Sequence, residues 1–374
     1  MLQQRKPRLV VSIISELARN GGDCFPLQQL FECASQLQLL GVEVPSWELL
    51  SEGARPPPLS VLDTTPGCLQ MKGWQRWAAY LTDVQYRTTI WHQFSETERA
   101  HVRSQSGKGS GIAFTVIPTS PELSISSQLF RILLLRRFRI DLPLCQRVCR
   151  CRRFLDLKGD HRAACAVCGV LSKRGFALES AMARVCRESG ARVQFNSFLR
   201  DLNIGPAGVT DGRRIEVIAN GLPLFKGAQL AIDTTIVCPV GRDGTAHARA
   251  ADVDGISLEQ ARARKERRYP ELIGIGGRAK LVVFALETGG RWSDEAWRFI
   301  HLLSKARARS DPKMLQKQAA IGWAKRWQGL LAVSAQKAFA GSLLEQKATH
   351  GMDGECPSIH EMLYDCTLTP AVAG

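Results

Sequence analysis

The order of periodic segments after residue 176 constrains the fold of this chain more than any other feature of the sequence. Residues 176–190 place apolar side chains on one helical face and end at Gly190. The following segments alternate like strands or carry helical spacing: RVQFNSF (192–198), RRIEVIA (213–219), LAIDTTIVCP (230–239), SLEQARARKERRY (257–269) and AKLVVFALET (279–288). This α-β-β-β-α-β order predicts a mixed α/β (α+β) domain with one sheet.

Capping signals predict where three helices of this part begin. Ser257, with Gln260 three positions on, forms a capping box at the start of one helix. A second helix is predicted over 293–309 with Ser293 as its N-cap. Asp311 is predicted to cap a long final helix rich in Ala, Leu and Trp.

Composition limits the classes of protein that this chain can belong to. It has 374 residues and a net charge of +15, which suits a polyanionic partner such as nucleic acid. No apolar stretch approaches the roughly 20 residues that span a bilayer, so no membrane partner is expected. The N-terminus lacks the pattern of a secretory signal, and we expect an intracellular protein.

Shifts in composition divide the chain into six predicted regions. The glycine- and serine-rich stretch at 104–114 is interpreted as a linker within the second of them. The regions are a helical and linker region (1–73), a basic helical connector (74–144), a cysteine-rich knuckle (145–170), the α-β-β-β-α-β domain (174–309), a C-terminal helix (310–345) and a loose tail (346–374).

A cluster of cysteines and one histidine predicts a structural zinc site. Cys149, Cys151, His161 and Cys165 follow the spacing C-x-C-x9-H-x3-C, and three thiolates with one imidazole are a common tetrahedral zinc set. Zinc would fold a segment with few apolar residues of its own. Two neighbouring cysteines, at 145 and 168, are alternative ligands, and a cluster of free thiols is the alternative interpretation.

Two acidic residues on successive strands predict a second metal site. Glu216 and Asp233 would face each other directly in one hairpin register and diagonally in another, and both registers keep them on one face of the sheet. Two carboxylates about 5 to 8 Å apart at Cβ can share Mg²⁺. The alternative is a pair of surface acids on edge strands.

Further polar residues are candidates for the same site. Lys265 and Tyr269 lie four apart on the predicted helix and therefore share a face. A lysine near the metal could orient or deprotonate water or stabilise charge on a phosphate, although a solvated charge run is the alternative. Glu179 is a further candidate acid from the first helix, and Glu287 ends the last strand.

Taken together, these motifs resemble the C-terminal part of the polyprotein of non-LTR retrotransposons that carry a restriction-like endonuclease. The resemblance covers roughly residues 74–345. It rests on SQSGKGSGIAFTVIPTSPE, CRCRRFLDLKGDHRAAC, RRIEVIANGLPLFKGAQLAIDTTIVCP, KERRYPEL and ETGGRWSDEA. It implies a CCHC zinc knuckle followed by a PD-(D/E)XK-type nuclease domain with a restriction-endonuclease-like core.

The resemblance also implies roles for particular residues. Glu216 takes the place of the acid in the PD half-motif, and Asp233 that of the (D/E)XK acid. Thr235 occupies the usual lysine position, so Lys265 would supply the lysine. Arg152 stands where the family pattern of the knuckle favours glycine.

The implied function is a Mg²⁺-dependent endonuclease that nicks target DNA to prime reverse transcription. DNA and the RNA of the element would be its partners, and the nucleus its location. The chain contains no Y-x-D-D polymerase motif. Two alternatives remain: a non-catalytic nucleic-acid-binding remnant of such an element, and a zinc-organised interaction protein, which the charge of +15 disfavours.

Overall fold

The computed structural model describes residues 16, 25–39, 41, 43–46, 49, 55–56, 73–144, 147–167, 170–202, 211–273 and 278–344. The chain divides into two compact units between Phe94 and Ser95. In the first unit the structure describes two helices, α1 (Phe25–Leu39) and α2 (Trp74–Gln93). The predicted loose tail, from 346 on, and most of the predicted region 1–73 lie outside the described residues. In the described part of the chain, no helix is both long and apolar enough to cross a membrane.

The second unit contains the sheet and all the candidate site residues. Its order from α7 to β4 is the predicted α-β-β-β-α-β, and the prediction of a mixed α/β fold is confirmed. Its elements are α3 (Glu96–Ser104), α4 (Ile112–Thr115), α5 (Ser127–Arg137), α6 (Asp160–Ala164), α7 (Val170–Glu188), β1 (Arg192–Phe198), β2 (Arg214–Asn220), β3 (Gln229–Val237), α8 (Ile256–Arg268), β4 (Ala279–Glu287), α9 (Asp294–Ala308) and α10 (Gln316–Leu343).

The sheet is mixed, with the strand order β1-β2-β3-β4. β1, β2 and β3 follow one another along the chain and pair antiparallel as a meander. The segment between β3 and β4 contains α8, and this crossover lets β4 lie parallel to β3 over nine residue pairs. The two central strands, β2 and β3, carry the two acids of interest.

Helices cover both faces of the sheet. On one face, α7, α9 and α10 contribute Met182, Phe299 and Trp327 to a buried cluster that includes Ile232 and Phe284 of the sheet. Burying such large side chains contributes about 1.5–3 kcal/mol each. This face holds the main core of the unit.

The opposite face is covered by α8. Leu258 of this helix and Tyr269 just after it pack with Ile218, Ala231 and Val283 of the sheet. The residues of α8 that point toward the sheet therefore lie over β2, β3 and β4. This packing determines which polar residues of α8 reach the acids.

The helix starts agree with the sequence in one case and differ in two. Ser293 is the N-cap of α9, and its side chain accepts a hydrogen bond from the Ala296 N–H, as predicted. The capping box at Ser257 is wrong, because α8 begins at Ile256 after Gly255 in the left-handed conformation (φ 73°). Glycine adopts this conformation at no steric cost, and Gly255 takes the N-cap position.

The start of the final helix also lies elsewhere. α10 begins at Gln316, and its N-cap is Leu315 rather than Asp311. A turn precedes it, in which the Leu315 N–H donates to the Pro312 carbonyl over 2.8 Å. Asp311 and Pro312, which predicted the start of the helix, instead lie at this turn.

The glycine- and serine-rich segment is packed rather than extended as a linker. The Trp292 N–H donates to the Lys108 carbonyl over 2.9 Å, and the Arg291 N–H donates to the Ser104 carbonyl over 3.1 Å. Gly109 has φ +79°, and a Cβ there would lie 2.3 Å from Cδ1 of Trp292. The glycine is required for both its conformation and the close approach.

Candidate active site and metal centre

β2 and β3 bring the two predicted acids together where their pairing ends. Val217 pairs with Ile232, and two further pairs follow in the same register toward the hairpin turn. Continued by one residue, this register sets Glu216 directly opposite Asp233. The sequence allowed either a directly opposed or a diagonal arrangement of these two acids, and the structure has the directly opposed one.

A lysine from the covering helix stands against both acids. Asp233 is fully buried, with 0% of its surface exposed. The Lys265 ammonium lies 2.5 Å from Oδ1 of Asp233 and 3.9 Å from Oε1 of Glu216. A buried carboxylate without such a partner would cost several kcal/mol, and Lys265 compensates the charge of Asp233.

Glu216 is fixed by β3 through one of its carboxylate oxygens. The backbone N–H of Thr234 donates to Oε2 over 2.5 Å, and the Thr234 hydroxyl donates to the same oxygen over 2.9 Å. The other oxygen, Oε1, faces Lys265. Sequence reasoning missed Thr234, and its place directly after Asp233 in the strand was the only available signal.

Burial and mutual repulsion perturb the acids. Burial, and then the charge of Asp233, raise the pKa of Glu216 to about 8, against a lowering effect of Lys265. Burial likewise raises the pKa of Asp233, and the neighbouring Lys265 opposes this rise. The two carboxyl groups therefore share Lys265 as a neighbouring cation, and pKa values perturbed by burial and a specific charge partner make this pair a candidate functional site.

The other two predicted residues lie beside this pair rather than in direct contact with both acids. Tyr269 is the C-cap of α8, and its backbone N–H donates to the Lys265 carbonyl over 3.0 Å, so the two residues lie one helical turn apart. The buried hydroxyl of Tyr269 donates to the Arg214 carbonyl over 2.7 Å, and burial followed by the charge of Asp233 raises its pKa. Glu179 on α7 is half-buried, and burial and the charge of Asp233 raise its pKa too.

Glu287 lies away from this cluster, at the end of β4. It is buried, and its nearest basic group is Arg291, whose Nε lies 3.6 Å from Oε2. Burial raises the pKa of Glu287 to about 7. The arrangement is that of a buried ion pair within the β4–α9 turn.

Chemically, the acid centre, defined here as Glu216, Asp233 and Lys265, combines two oxygen donors with one positive charge. Carboxylate oxygens on adjacent strands are the ligand type that hard divalent cations prefer. An ammonium group beside them can donate hydrogen bonds to water or to a phosphate oxygen. The centre is therefore suited to hydrolysis of an anionic substrate.

The cysteine and histidine residues form a second, separate cluster. The ligand atoms of Cys149, Cys151, His161 and Cys165 all lie within 4.8 Å of one another. The Sγ atoms of Cys149 and Cys165 are 3.9 Å apart, and Sγ of Cys151 is 3.2 Å from Nε2 of His161. Tetrahedral zinc with bonds of about 2.3 Å to sulfur requires a sulfur–sulfur distance of about 3.8 Å. This Cys3His cluster could hold a metal ion.

The orientation of His161 is set by two segments outside the ligand set. Its Nδ1 lies 3.0 Å from the Arg242 carbonyl, which can accept the ring N–H and leave Nε2 for a metal. Asp156 accepts the backbone N–H of His161 over 2.7 Å and that of Asp160 over 2.9 Å. Sequence reasoning missed both partners, although only Arg242, 81 residues from His161, is far away along the chain.

The cluster is anchored by a buried ion pair. Asp160 is buried and lies 2.6 Å from Arg136, and Arg139 donates to both its carboxylate oxygens over 2.8 Å.

The turn of the cluster contains a residue with unusual backbone geometry. Arg152 lies between Val148 and Phe154, which pair across the turn, and it has a left-handed φ of 66°. This is the conformation that glycine accommodates best.

The thiols of the cluster differ in their surroundings. Burial raises the pKa of the Cys149 thiol, while a hydrogen bond from the Arg153 backbone N–H lowers the pKa of Cys151. The alternative ligands, Cys145 and Cys168, lie outside the described residues. The described ligand set is therefore the one that was predicted from the spacing.

The class that fold and sites define is a mixed α/β protein with a buried acid–lysine centre and a Cys3His cluster. The chain matches no protein-family model. No curated protein is significantly similar to it in sequence.

Proposed function

We propose that this chain is a Mg²⁺-dependent endonuclease that hydrolyses phosphodiester bonds of DNA. The observation that carries the proposal is the placement of Lys265, 2.5 Å from Asp233 and 3.9 Å from Glu216. Two carboxylates and a lysine on neighbouring elements supply the oxygen ligands and the positive charge that metal-assisted phosphodiester hydrolysis can use. The resemblance adds that the chain is the nuclease part of a non-LTR retrotransposon polyprotein with a restriction-like core, which nicks target DNA to prime reverse transcription.

The residues of the acid centre fit a magnesium ion by their chemistry. Glu216 and Asp233 offer hard oxygen ligands from neighbouring strands in a largely buried position. When bound there, Mg²⁺ would polarise the scissile phosphate and lower the pKa of water. Thr234 holds Glu216 in place through two hydrogen bonds to one oxygen, so the other oxygen keeps a fixed direction.

Lys265 acts on the substrate side of the centre. Its ammonium can donate to a non-bridging phosphate oxygen and stabilise the negative charge that develops there. The burial of Asp233 keeps the lysine close, because the two charges compensate each other. Tyr269 and Glu179 are positioning residues in this proposal, since both lie within electrostatic reach of Asp233.

We assign zinc to the Cys3His cluster and a structural role to it. Three thiolates and an imidazole use all four positions of tetrahedral zinc and leave none for a substrate. The His161–Arg242 contact joins the cluster to the segment between β3 and α8, which carry Asp233 and Lys265. Zinc would thereby support the acid centre without taking part in catalysis.

DNA is the proposed partner because of the charge of +15, with the RNA of the element as a second one. A protein that nicks chromosomal DNA would act in the nucleus. Each of these assignments follows from the proposed reaction.

The decisive experiment is plasmid nicking. The zinc-loaded full chain is incubated with supercoiled plasmid and Mg²⁺, alongside Asp233→Asn and Lys265→Gln. Glu259→Gln serves as control, because it changes an exposed carboxylate on the same helix as Lys265. We expect nicking by the wild type and the control and a loss of about 10²-fold or more in the other two. A folded, DNA-binding wild type that does not nick contradicts the proposal.

Thr235 favours a second candidate function. It stands at the usual lysine position of the motif, and a relic that only binds nucleic acid would tolerate this change. Salt-dependent DNA binding without nicking would support that candidate. Absence of salt-dependent binding would instead favour a zinc-organised interaction protein.

A further inference from the structure

The edge strand β1 presents an unusual surface of aromatic and basic residues. β1 lies at one edge of the four-stranded sheet, and most of its residues are exposed. Phe195 is 39% exposed, although a large apolar side chain on an edge strand favours unwanted strand pairing. The strand itself, RVQFNSF, contains no acidic residue.

Arginines stack on both phenylalanines of this strand. The guanidinium carbons of Arg200 and Arg214 lie 4.2 and 3.9 Å from the ring centre of Phe198. Arg187, at the end of α7, lies 5.3 Å from the ring centre of Phe195. Such stacking is worth about 0.5–1 kcal/mol at exposed sites and holds each guanidinium plane in place. Phe195 stands opposite Val217, whose side chain lies in the core on the α7 face, whereas Phe198 stands opposite Arg214 on the face of Glu216. We therefore restrict the name β1 surface to Phe198 and its two arginines, Arg200 and Arg214.

The β1 surface lies beside the acid centre. Phe198 pairs with Arg214, which precedes Glu216 by two residues on β2. In the same register, Asn196 stands opposite Glu216, and it has a left-handed φ of 48°. Tyr269 connects the two sites, because its hydroxyl donates to the Arg214 carbonyl.

We propose that the β1 surface binds the sugar–phosphate backbone of the DNA strand that enters the acid centre. This inference rests on the proposed function. The ring of Phe198 supports two guanidinium groups, so it serves to position charge and not to stack on bases. Both arginines also contact the chain: Arg214 donates to the Asn196 carbonyl over 3.4 Å, and Nε of Arg200 lies 3.8 Å from Oδ1 of Asp201. A guanidinium has five N–H donors, so each can bind phosphate oxygens in addition.

An exposed edge strand such as β1 could instead pair with the same strand of a second copy of the chain, but charge favours nucleic acid. Pairing two β1 strands would bring the arginines of both copies together, and this repulsion opposes such a dimer. A polyanion gains from the same arrangement. The contacts would be independent of base sequence, because phosphates carry no sequence information.

The test measures DNA affinity against salt in the Asp233→Asn background, so that catalysis does not interfere. The probe is a labelled duplex of about 30 base pairs. We expect Arg200→Gln with Arg214→Gln to reduce the slope of log affinity against log salt by about 2. For each phosphate contact that is lost, the fall in affinity between roughly 50 and 200 mM salt should become smaller by a factor of about 3.5. Arg298→Gln is the control, because this arginine is 76% exposed on α9.

A second variant separates positioned charge from long-range charge. Phe198→Leu removes the stacking support and leaves every charge in place, and we expect it to weaken binding by roughly two- to fivefold. Melting temperatures close to that of the parent would show that these variants fold.

Unchanged slopes in the double arginine variant would overturn the inference, as would a Phe198→Leu variant that binds normally. A dimer in sedimentation that the arginine variants change would overturn it in favour of edge pairing. Plasmid nicking by the wild-type chain, which keeps Asp233, distinguishes the two proposals. If the wild type nicks but the salt slope of the double arginine variant is unchanged, only the role of the β1 surface is refuted. If the slope is reduced but the wild type does not nick, only the nuclease proposal is refuted.

Discussion

Replacing Glu216 by Gln should make the folded chain more stable at alkaline pH, although it removes a residue of the acid centre. Burial and the charge of Asp233 raise the pKa of Glu216 to about 8, from 4.5. The folded chain therefore holds a proton on this side chain over a pH range in which the unfolded chain has lost it. Stability falls as the pH rises through this range, because the folded state binds more protons than the unfolded one.

The two pKa values set the size of the effect. At about 1.4 kcal/mol per pH unit, the interval from 4.5 to about 8 corresponds to at most roughly 5 kcal/mol. The Glu216 side chain is 25% exposed, so solvent reduces this figure. Glutamine carries no charge at any pH and can still accept the two hydrogen bonds from Thr234. The variant therefore avoids the cost of ionising this site.

The assay compares melting temperatures of wild type and Glu216→Gln, both zinc-loaded and without added Mg²⁺. With about 2–4 °C per kcal/mol for a unit of this size, we expect the variant to melt roughly 5–20 °C higher at pH 8.5 and within a few degrees of wild type at pH 5. Added Mg²⁺ should raise the melting temperature of the wild type at pH 8.5 and leave that of the variant nearly unchanged. Equal melting temperatures at both pH values would refute this reasoning.

Three further changes test the scaffold and the metal centre. Glu188→Ala should cost about 3–5 kcal/mol in urea unfolding, because this buried carboxylate accepts hydrogen bonds from two arginines and an indole N–H; a cost under about 1 kcal/mol would contradict it. Gly109→Ala should lower the melting temperature by roughly 5 °C or more, whereas Gly111→Ala should change it little, since a Cβ there meets no atom within 4 Å; equal effects would count against the close approach to Trp292. His161→Ala should lose zinc on dialysis against metal-free buffer, measured by elemental analysis, and full retention would speak against the assigned ligand set.

Local patterns in the sequence predicted the strands and the ligand spacing well, because both depend on neighbouring residues. The strand segments around Glu216 and Asp233 form almost as predicted, and the Cys149–Cys165 array closes as its spacing indicates. The contact between Arg242 and His161 could not be predicted, since it joins residues 81 positions apart. Nor could the packing of Gly109 on Trp292, which turns an apparent linker into a part of the core.

The position of Lys265 shows how such a contact can leave a trace in the sequence. Leu258 and Ala261 form the buried stripe of α8, and Lys265 follows them at spacings of seven and four residues, so the same stripe continues through a charged side chain. A lysine in an apolar stripe needs an acidic partner, because an uncompensated buried charge costs several kcal/mol. Asp233, a buried carboxylate in the otherwise apolar strand β3, likewise needs a positively charged partner. The Lys265 ammonium and Oδ1 of Asp233 lie 2.5 Å apart, so each charged group supplies the partner that the other needs.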